Sequence, residues 1–185
     1  MKKVFFLDRD GVIIEDKNYL SSPDQVVLCE GTVSAFRRIK DAGYGIVVVS
    51  NQSGIARGYF TEKDLEKVEK RIEELLAASG SPVPDKWYYC PHHAKGSVPE
   101  YSFDCDCRKP KPGLFLRAGK ELDIDFSQSV VIGDKISDLE GGFSAGCGKG
   151  VLVLTGHGKE QEPVKLAKKY ETASGILEAV ESALK

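Results

Sequence analysis

Residues 1–14 read MKKVFFLDRDGVII, and the way this stretch stops sets the reading of the whole chain. Val4 to Leu7 is a short apolar run of strand formers. It ends abruptly at Asp8, followed by Arg9, a second acid at Asp10, and Gly11. Acids at a strand end commonly do no more than form a turn. The pair gains meaning only if other strands end in a similar way.

Two others do. GIVVVSNQSG (45–54) is a β-branched strand that closes on Ser50, Asn51 and glycine, and QSVVIGDKISD (128–138) closes on Gly133 and Asp134. KWYYC (86–90) and GVLVLTG (150–156) read as further strands. Between them lie helical patterns. TVSAFRRIKDAG (32–43) spaces Val33, Phe36 and Ile39 and stops at Gly43. In TEKDLEKVEKRIEELLAASG (61–80), Thr61 is a plausible N-cap and Leu65, Val68, Ile72, Leu75 and Leu76 share a face. PGLFLRAGKELD (112–123) reads as a helix opened by Pro112, and others are expected over 136–145 and 174–184. GKEQEPVKLAKKYE (158–171) has no firm assignment beyond a surface segment.

Strands alternating with helices predict an α/β fold, a Rossmann-like parallel sheet with helices on both faces. The 185 residues, 41% hydrophobic and 29% charged, suit one globular domain over 1–185. A formal net charge of −2 argues against nonspecific nucleic-acid binding. The runs VFFL and IVVV are far too short to cross a bilayer, so a soluble, cytoplasmic protein with no membrane or nucleic-acid partner is expected. No exposed apolar stripe is evident, which makes a monomer the default.

In open parallel sheets, ligands bind at the carboxyl ends of strands where strand order reverses. Asp8, Asp10, Ser50, Asn51 and Asp134 should therefore gather on one edge, with CRKPKPG (107–113) adding basic residues. Carboxylates alone repel a phosphate. A hard divalent cation, usually Mg²⁺, lets both occupy one site.

The five cysteines are Cys29, Cys90, Cys105, Cys107 and Cys147, an odd number and a poor disulfide framework. Cys90, Cys105 and Cys107, with His92 or His93, supply three thiolates and an imidazole, the donor set of a closed tetrahedral Zn²⁺ site. The loop they bracket, about 90–107, is too polar to pack itself, so the metal would stand in for a core. Cys29 and Cys147 are most simply core residues.

FLDRDGV (6–12), VVSNQSGIARG (48–58), CRKPKPG and VIGDKISDLEGG (131–142) resemble the four ordered motifs of the haloacid dehalogenase-like phosphohydrolases. Within that superfamily, CPHHAKGSVPEYSFDCDCRKPKPG (90–113) resembles the zinc loop of the D-glycero-D-manno-heptose 1,7-bisphosphate 7-phosphatases, whose near relatives are the histidinol-phosphate phosphatases. The resemblance implies that Asp8 is the nucleophile and forms an aspartyl-phosphate, while Asp10 protonates the leaving oxygen and later deprotonates water.

It further implies Mg²⁺ on a carboxylate of Asp8, the backbone carbonyl of Asp10 and a carboxylate of Asp134. Ser50 and the amides of Asn51, Gln52 and Ser53 would bind the phosphoryl oxygens, and Lys109 would neutralise the transferring group. Arg108 and Lys135 would meet the rest of the substrate, and Asp16, Lys17, Asn18 and Tyr19 would supply sugar contacts by family position. The C-x-H spacing of the family selects His92 beside Cys90, Cys105 and Cys107 for a structural Zn²⁺. His93 is then a loop residue or a substrate neighbour. Asp138 reads as a group that orients Lys135 or stands behind the residues that touch the substrate, and nearly as well as a plain helix acid.

Only about 40 residues separate Asp8 from Ser50 and about 58 separate Ser50 from Arg108, so there is no room for a large cap domain. The implied substrate is a small phosphorylated sugar, a heptose bisphosphate used in nucleotide-heptose synthesis, with neither anomer nor downstream pathway legible. A histidinol-phosphate phosphatase and an inactive zinc-stabilised binding module are the alternatives.

Overall fold

A computed structural model describes residues 1–161 and 169–185. In chain order the elements are β1 (Val4–Leu7), α1 (Thr32–Asp41), β2 (Gly45–Asn51), α2 (Glu62–Ala78), β3 (Lys86–Cys90), α3 (Gly113–Leu122), β4 (Val130–Gly133), α4 (Ile136–Ala145), β5 (Lys149–Val153), α5 (Gly158–Gln161), β6 (Glu171–Ala173) and α6 (Ile176–Ala183). Among the described residues the strands form one sheet in the order β3-β2-β1-β4-β5-β6, with every pair parallel.

The strands of the sheet's centre are buried on both faces, and their alternation divides the core. Phe5, Leu7, Ile46, Val48, Ile132, Val151 and Val153 pack with Phe36 and Ile39 of α1, Val68 and Ile72 of α2 and Val180 of α6. Val4, Phe6, Val47, Val49, Val131 and Leu152 face the other way, against Leu114 and Phe115 of α3 and Leu139 of α4. A continuous apolar run is what a parallel strand covered on both sides requires. The period of two then assigns each residue to a layer.

Thr61 caps α2 as its spacing predicts. Its hydroxyl accepts the Asp64 N–H at 3.3 Å, while the Asp64 carboxylate accepts the Thr61 N–H at 3.1 Å. Pro112 sits at the cap of α3 and not inside it, one residue earlier than a helix opened by proline would place it. The unassigned segment contributes α5 and the first residue of β6, with 162–168 outside the described residues. β6 escaped detection because Glu171–Ala173 is three residues long with its first two exposed.

Chain order reverses between β1 and β4, so β1 stands at the topological switch point. Asp8 follows β1 directly, Ser50 and Asn51 end β2, and Asp134 follows β4. No segment between these strands builds a separate cap among the described residues. None of their helices is long and apolar enough to cross a membrane.

Candidate active site

The carboxyl ends of β1, β2 and β4 open into a hollow of about 310 Å³. Asp8 lies at its floor, and its buried carboxylate takes a 2.6 Å bond from Lys109 Nζ. The same ammonium donates to the Val49 carbonyl at 2.6 Å and pairs with Asp138 at 2.7 Å. Lys109 thus bridges two acids from a position 4% exposed. Burial works against its charge, but Asp138 and Asp8 outweigh that and hold the ammonium above the ordinary lysine range.

Burial dominates in the opposite sense at Asp8, pushing its carboxyl up to about 7 despite Lys109, with Asp138, Asp134 and Asp10 adding to the rise. Asp134 is fully buried, and burial followed by Asp138 raises it to about 6. Its Oδ2 accepts the His157 backbone N–H at 2.8 Å. Its Oδ1 is buried without a hydrogen-bond partner, the Lys135 ammonium being 4.0 Å away.

Oxygens of Asp8, Asp134 and Asp138 lie within 4.8 Å of one another. Three buried acids, two of them raised and one with an orphaned oxygen, fit a hard divalent cation. A glycine is required beside them. Gly11 has φ +80°, and a Cβ there would stand 2.6 Å from Asp134 Oδ2.

Asp10 is turned aside from these acids. Arg9 Nη2 pairs with it at 2.8 Å, Arg9 Nε donates to it at 3.1 Å, and Gln52 Nε2 donates to its Oδ2 at 3.0 Å. Gln52 also donates to Ser50 Oγ at 2.5 Å. Ser50 is buried and sits behind the lining, whereas Asn51, Gln52 and Ser53 reach the hollow. Asn51 ties β2 to the lysine loop: its Nδ2 donates to the Lys109 carbonyl at 3.2 Å, and its Oδ1 accepts the Lys109 N–H at 3.1 Å.

The loop after β1 contributes Asp16, Asn18 and Tyr19 to the lining, but Lys17 points away and pairs with Glu15 at 2.5 Å. Asp16 Oδ1 accepts the Asn18 N–H at 2.8 Å. Asn18 and Tyr19 take φ values of +53° and +67°, and this left-handed turn swings the Tyr19 ring against Tyr59, centroids 4.8 Å apart. Arg108 and Lys135 line the hollow as well.

Cys90 ends β3, and Cys105 and Cys107 return beside it. Their sulfurs are 3.2 to 3.5 Å apart, and His92 Nδ1 lies 3.3 Å from Cys107 Sγ and 3.7 Å from Cys90 Sγ. A tetrahedron with Zn–S bonds of about 2.3 Å has edges of about 3.8 Å, so the four donors already sit near the required corners. His92, not His93, completes the set. Arg108 Nη1 donates to the His92 carbonyl at 3.3 Å, tying the guanidinium to that cluster. His93 is not part of the lining of the hollow, and burial, then Arg108, Arg57 and Lys95, hold its imidazole below the usual range.

Several residues escaped the sequence reading. Arg9, which has no role in the sequence motifs, is 1% exposed and grips Asp10. His157 reaches Asp16 at 3.2 Å, and Thr155 Oγ1 donates to the Gly11 carbonyl at 2.5 Å. Both follow the end of β5, so the strand-end rule that selects Asp8 and Asp134 points to them as well. Asp138 orients Lys109 and not the Lys135 side chain; its tie to Lys135 is a 3.0 Å bond from that residue's backbone N–H. Cys147 is buried as expected, but Cys29 is only partly buried and borders a second hollow with Glu15 and Glu30, so it is no core thiol.

Comparison with known proteins points one way. Residues 106–181 match the family described as HAD-hydrolase-like. The chain is 46% identical over 156 residues to the D-glycero-beta-D-manno-heptose-1,7-bisphosphate 7-phosphatase of Haemophilus influenzae, covering 84% of each. It is 45% identical over 151 residues to the enzyme of that name from Escherichia coli K12, covering 82% of this chain and 78% of the other. A crystal structure of the D,D-heptose 1,7-bisphosphate phosphatase from B. bronchiseptica, complexed with magnesium and phosphate, superposes with a TM-score of 0.86 at 31% identity over 98% of both chains. With relatives this similar along most of its length, the chain belongs to the haloacid dehalogenase-like hydrolases, in the D-glycero-beta-D-manno-heptose-1,7-bisphosphate 7-phosphatase family.

Proposed function

We propose that this phosphatase removes the 7-phosphate of D-glycero-D-manno-heptose 1,7-bisphosphate, the β anomer being the one for which its relatives are named. The observation that carries the reading is the placing of Asp8, Lys109 and the orphaned oxygen of Asp134 at one strand-end hollow whose wall holds Arg108.

Asp8 attacks phosphorus, an Oδ–P bond forms, and the bond from phosphorus to the sugar oxygen breaks. Lys109 holds Asp8 in line and spreads positive charge toward the phosphoryl oxygens. Asp10 hands its proton to the departing sugar oxygen, for which its carboxyl must turn out of the Arg9 fork. Left as a carboxylate, it then takes a proton from water, which attacks phosphorus as the Oδ–P bond breaks and phosphate leaves Asp8. Amides of Asn51 to Ser53 steady the transferring oxygens. Mg²⁺ held by Asp8, Asp134 and the Asp10 carbonyl would supply the charge that lets a carboxylate approach a phosphate.

A Zn²⁺ on Cys90, His92, Cys105 and Cys107, with four protein donors and no open position, has a structural role. Such a thiolate site suits a reducing compartment, which favours the cytoplasm. Arg108 follows the last of these donors by one peptide bond, so the metal fixes where its guanidinium points. That cation suits a second phosphate and repels a substrate amine, which favours the bisphosphate over histidinol phosphate.

Phosphate release from heptose 1,7-bisphosphate and from histidinol phosphate, each with and without Mg²⁺, tests the proposal. The expected result is Mg²⁺-dependent release strongly favouring the sugar bisphosphate. Preference for histidinol phosphate, or no release from either, overturns it.

A further inference from the structure

The wall built on the zinc loop contains a conflict between donors. His93 Nδ1 accepts the backbone N–H of Lys95 at 3.1 Å. In a neutral imidazole with Nδ1 as acceptor, the proton resides on Nε2. That Nε2 faces Arg57 Nη2 at 3.4 Å. A guanidinium has donors and no acceptor, so two N–H groups converge with nothing between them to receive either. Adding a proton to the ring cures nothing, since it turns Nδ1 into a donor against Lys95 as well.

The surroundings do not resolve the conflict. Arg57 Nε is buried without a partner. Neither Arg57 nor Arg108 has a carboxylate partner among the described residues. Arg108 lies close enough to act electrostatically on the same imidazole, and it also lines the catalytic hollow. Arg57 is 6.0 Å from the centroid of the Tyr19 ring, another part of that lining. Two guanidinium groups without a carboxylate partner and a ring N–H beside the lining of a phosphatase site call for an anion with several oxygens.

We propose that Arg57 and His93, together with Arg108, form a second anion subsite that takes the phosphate left uncleaved. This rests on the bisphosphate reading above and adds two residues to it. One phosphate oxygen accepts from Arg57 Nη2 and His93 Nε2 together, which removes the donor conflict. His93 contributes direction and the arginines contribute charge. The zinc loop matters because it carries His93 and because Ser97 Oγ donates to the Arg57 carbonyl at 2.9 Å, fastening the two sides of the subsite together.

The test is the ratio of kcat/KM for heptose 1,7-bisphosphate to that for heptose 7-phosphate, in the wild type and in Arg57→Gln, Arg57→Lys and His93→Ala, with zinc content and circular dichroism as checks on folding. Loss of a charge-assisted bond to phosphate should lower the ratio about tenfold or more in Arg57→Gln, mostly through KM. Arg57→Lys should fall between Arg57→Gln and the wild type, because it keeps the charge and loses the fork. A folded Arg57→Lys and His93→Ala that both keep the wild-type ratio overturn the subsite, as does an equal loss on both substrates. If the wild type ignores the heptose bisphosphate, the substrate reading fails by itself. The subsite is then read from the same ratio on fructose 1,6-bisphosphate against fructose 6-phosphate.

Discussion

Asp8 and Lys109 are 101 positions apart in sequence and 2.6 Å apart in space, and the proposed chemistry depends on that contact. Asp8→Asn keeps the shape of the side chain and removes its nucleophilicity. Phosphate release should fall by about four orders of magnitude, and an assay retaining wild-type turnover would contradict the aspartyl-phosphate route. Gly11 makes a subtler demand. In Gly11→Ala the new methyl would meet Asp134 Oδ2 at 2.6 Å from a left-handed backbone. Displacing a metal carboxylate in this way should raise the Mg²⁺ concentration for half-maximal activity about tenfold or more, as a Mg²⁺ titration at saturating substrate would show. The acids were legible in sequence because they close strands. Arg9 was not, since nothing in the letters DRD says that the middle side chain folds back onto the second acid.

At the scale of elements, β3 and the loop that follows it join the proposed zinc site to the proposed specificity residue Arg108. β3 delivers Cys90 beside Asn51, its register partner on β2, and the loop returns Cys105 and Cys107 just ahead of Arg108. Cys107→Ser should release zinc, lower Tm by about 5 °C or more, and raise KM for the bisphosphate before it lowers kcat. Colorimetric zinc release with thermal melting and steady-state kinetics checks all three. An unchanged KM in a zinc-free variant would detach the loop from substrate recognition. The loop's cysteines were readable from spacing alone. Spacing alone left His92 and His93 open; the resemblance to the family's C-x-H pattern selected His92, whose Nδ1 lies beside the sulfurs. His157 was hidden in another way, lying four residues past β5, a strand whose end carries no acid to mark it.

Considered whole, the protein carries buried carboxyls that oppose its own stability. Asp8 at about 7 and Asp134 at about 6 both stand above their ordinary value, burial being the first cause in each. A raised acid binds its proton more tightly folded than unfolded, so its contribution is complete below about pH 4 and is lost as pH climbs through 6 and 7. Glu69, pushed by burial to about 7, acts in the same direction. In Mg²⁺-free buffer without a chelator the urea midpoint should therefore decline between pH 5 and pH 8. Mg²⁺ favours the ionised acids, so the stabilisation it confers should grow over the same interval. Stabilisation by Mg²⁺ that does not vary with pH would separate these acids from the cation.

The order of strands and helices, the strand-end positions of the acids and the zinc donors were all determined by the sequence, since each depends on local periodicity, on turn residues or on ligand chemistry. Which oxygens face one another was decided by the tertiary structure. Parallel register at a topological switch point brings Asp8, Lys109, Asp134 and Asp138 together from three separated stretches. The convergence of Arg57 on His93, from the loop after β2 and the zinc loop, is of the same kind. Contacts between segments far apart in the chain arise from packing, and no local pattern records them.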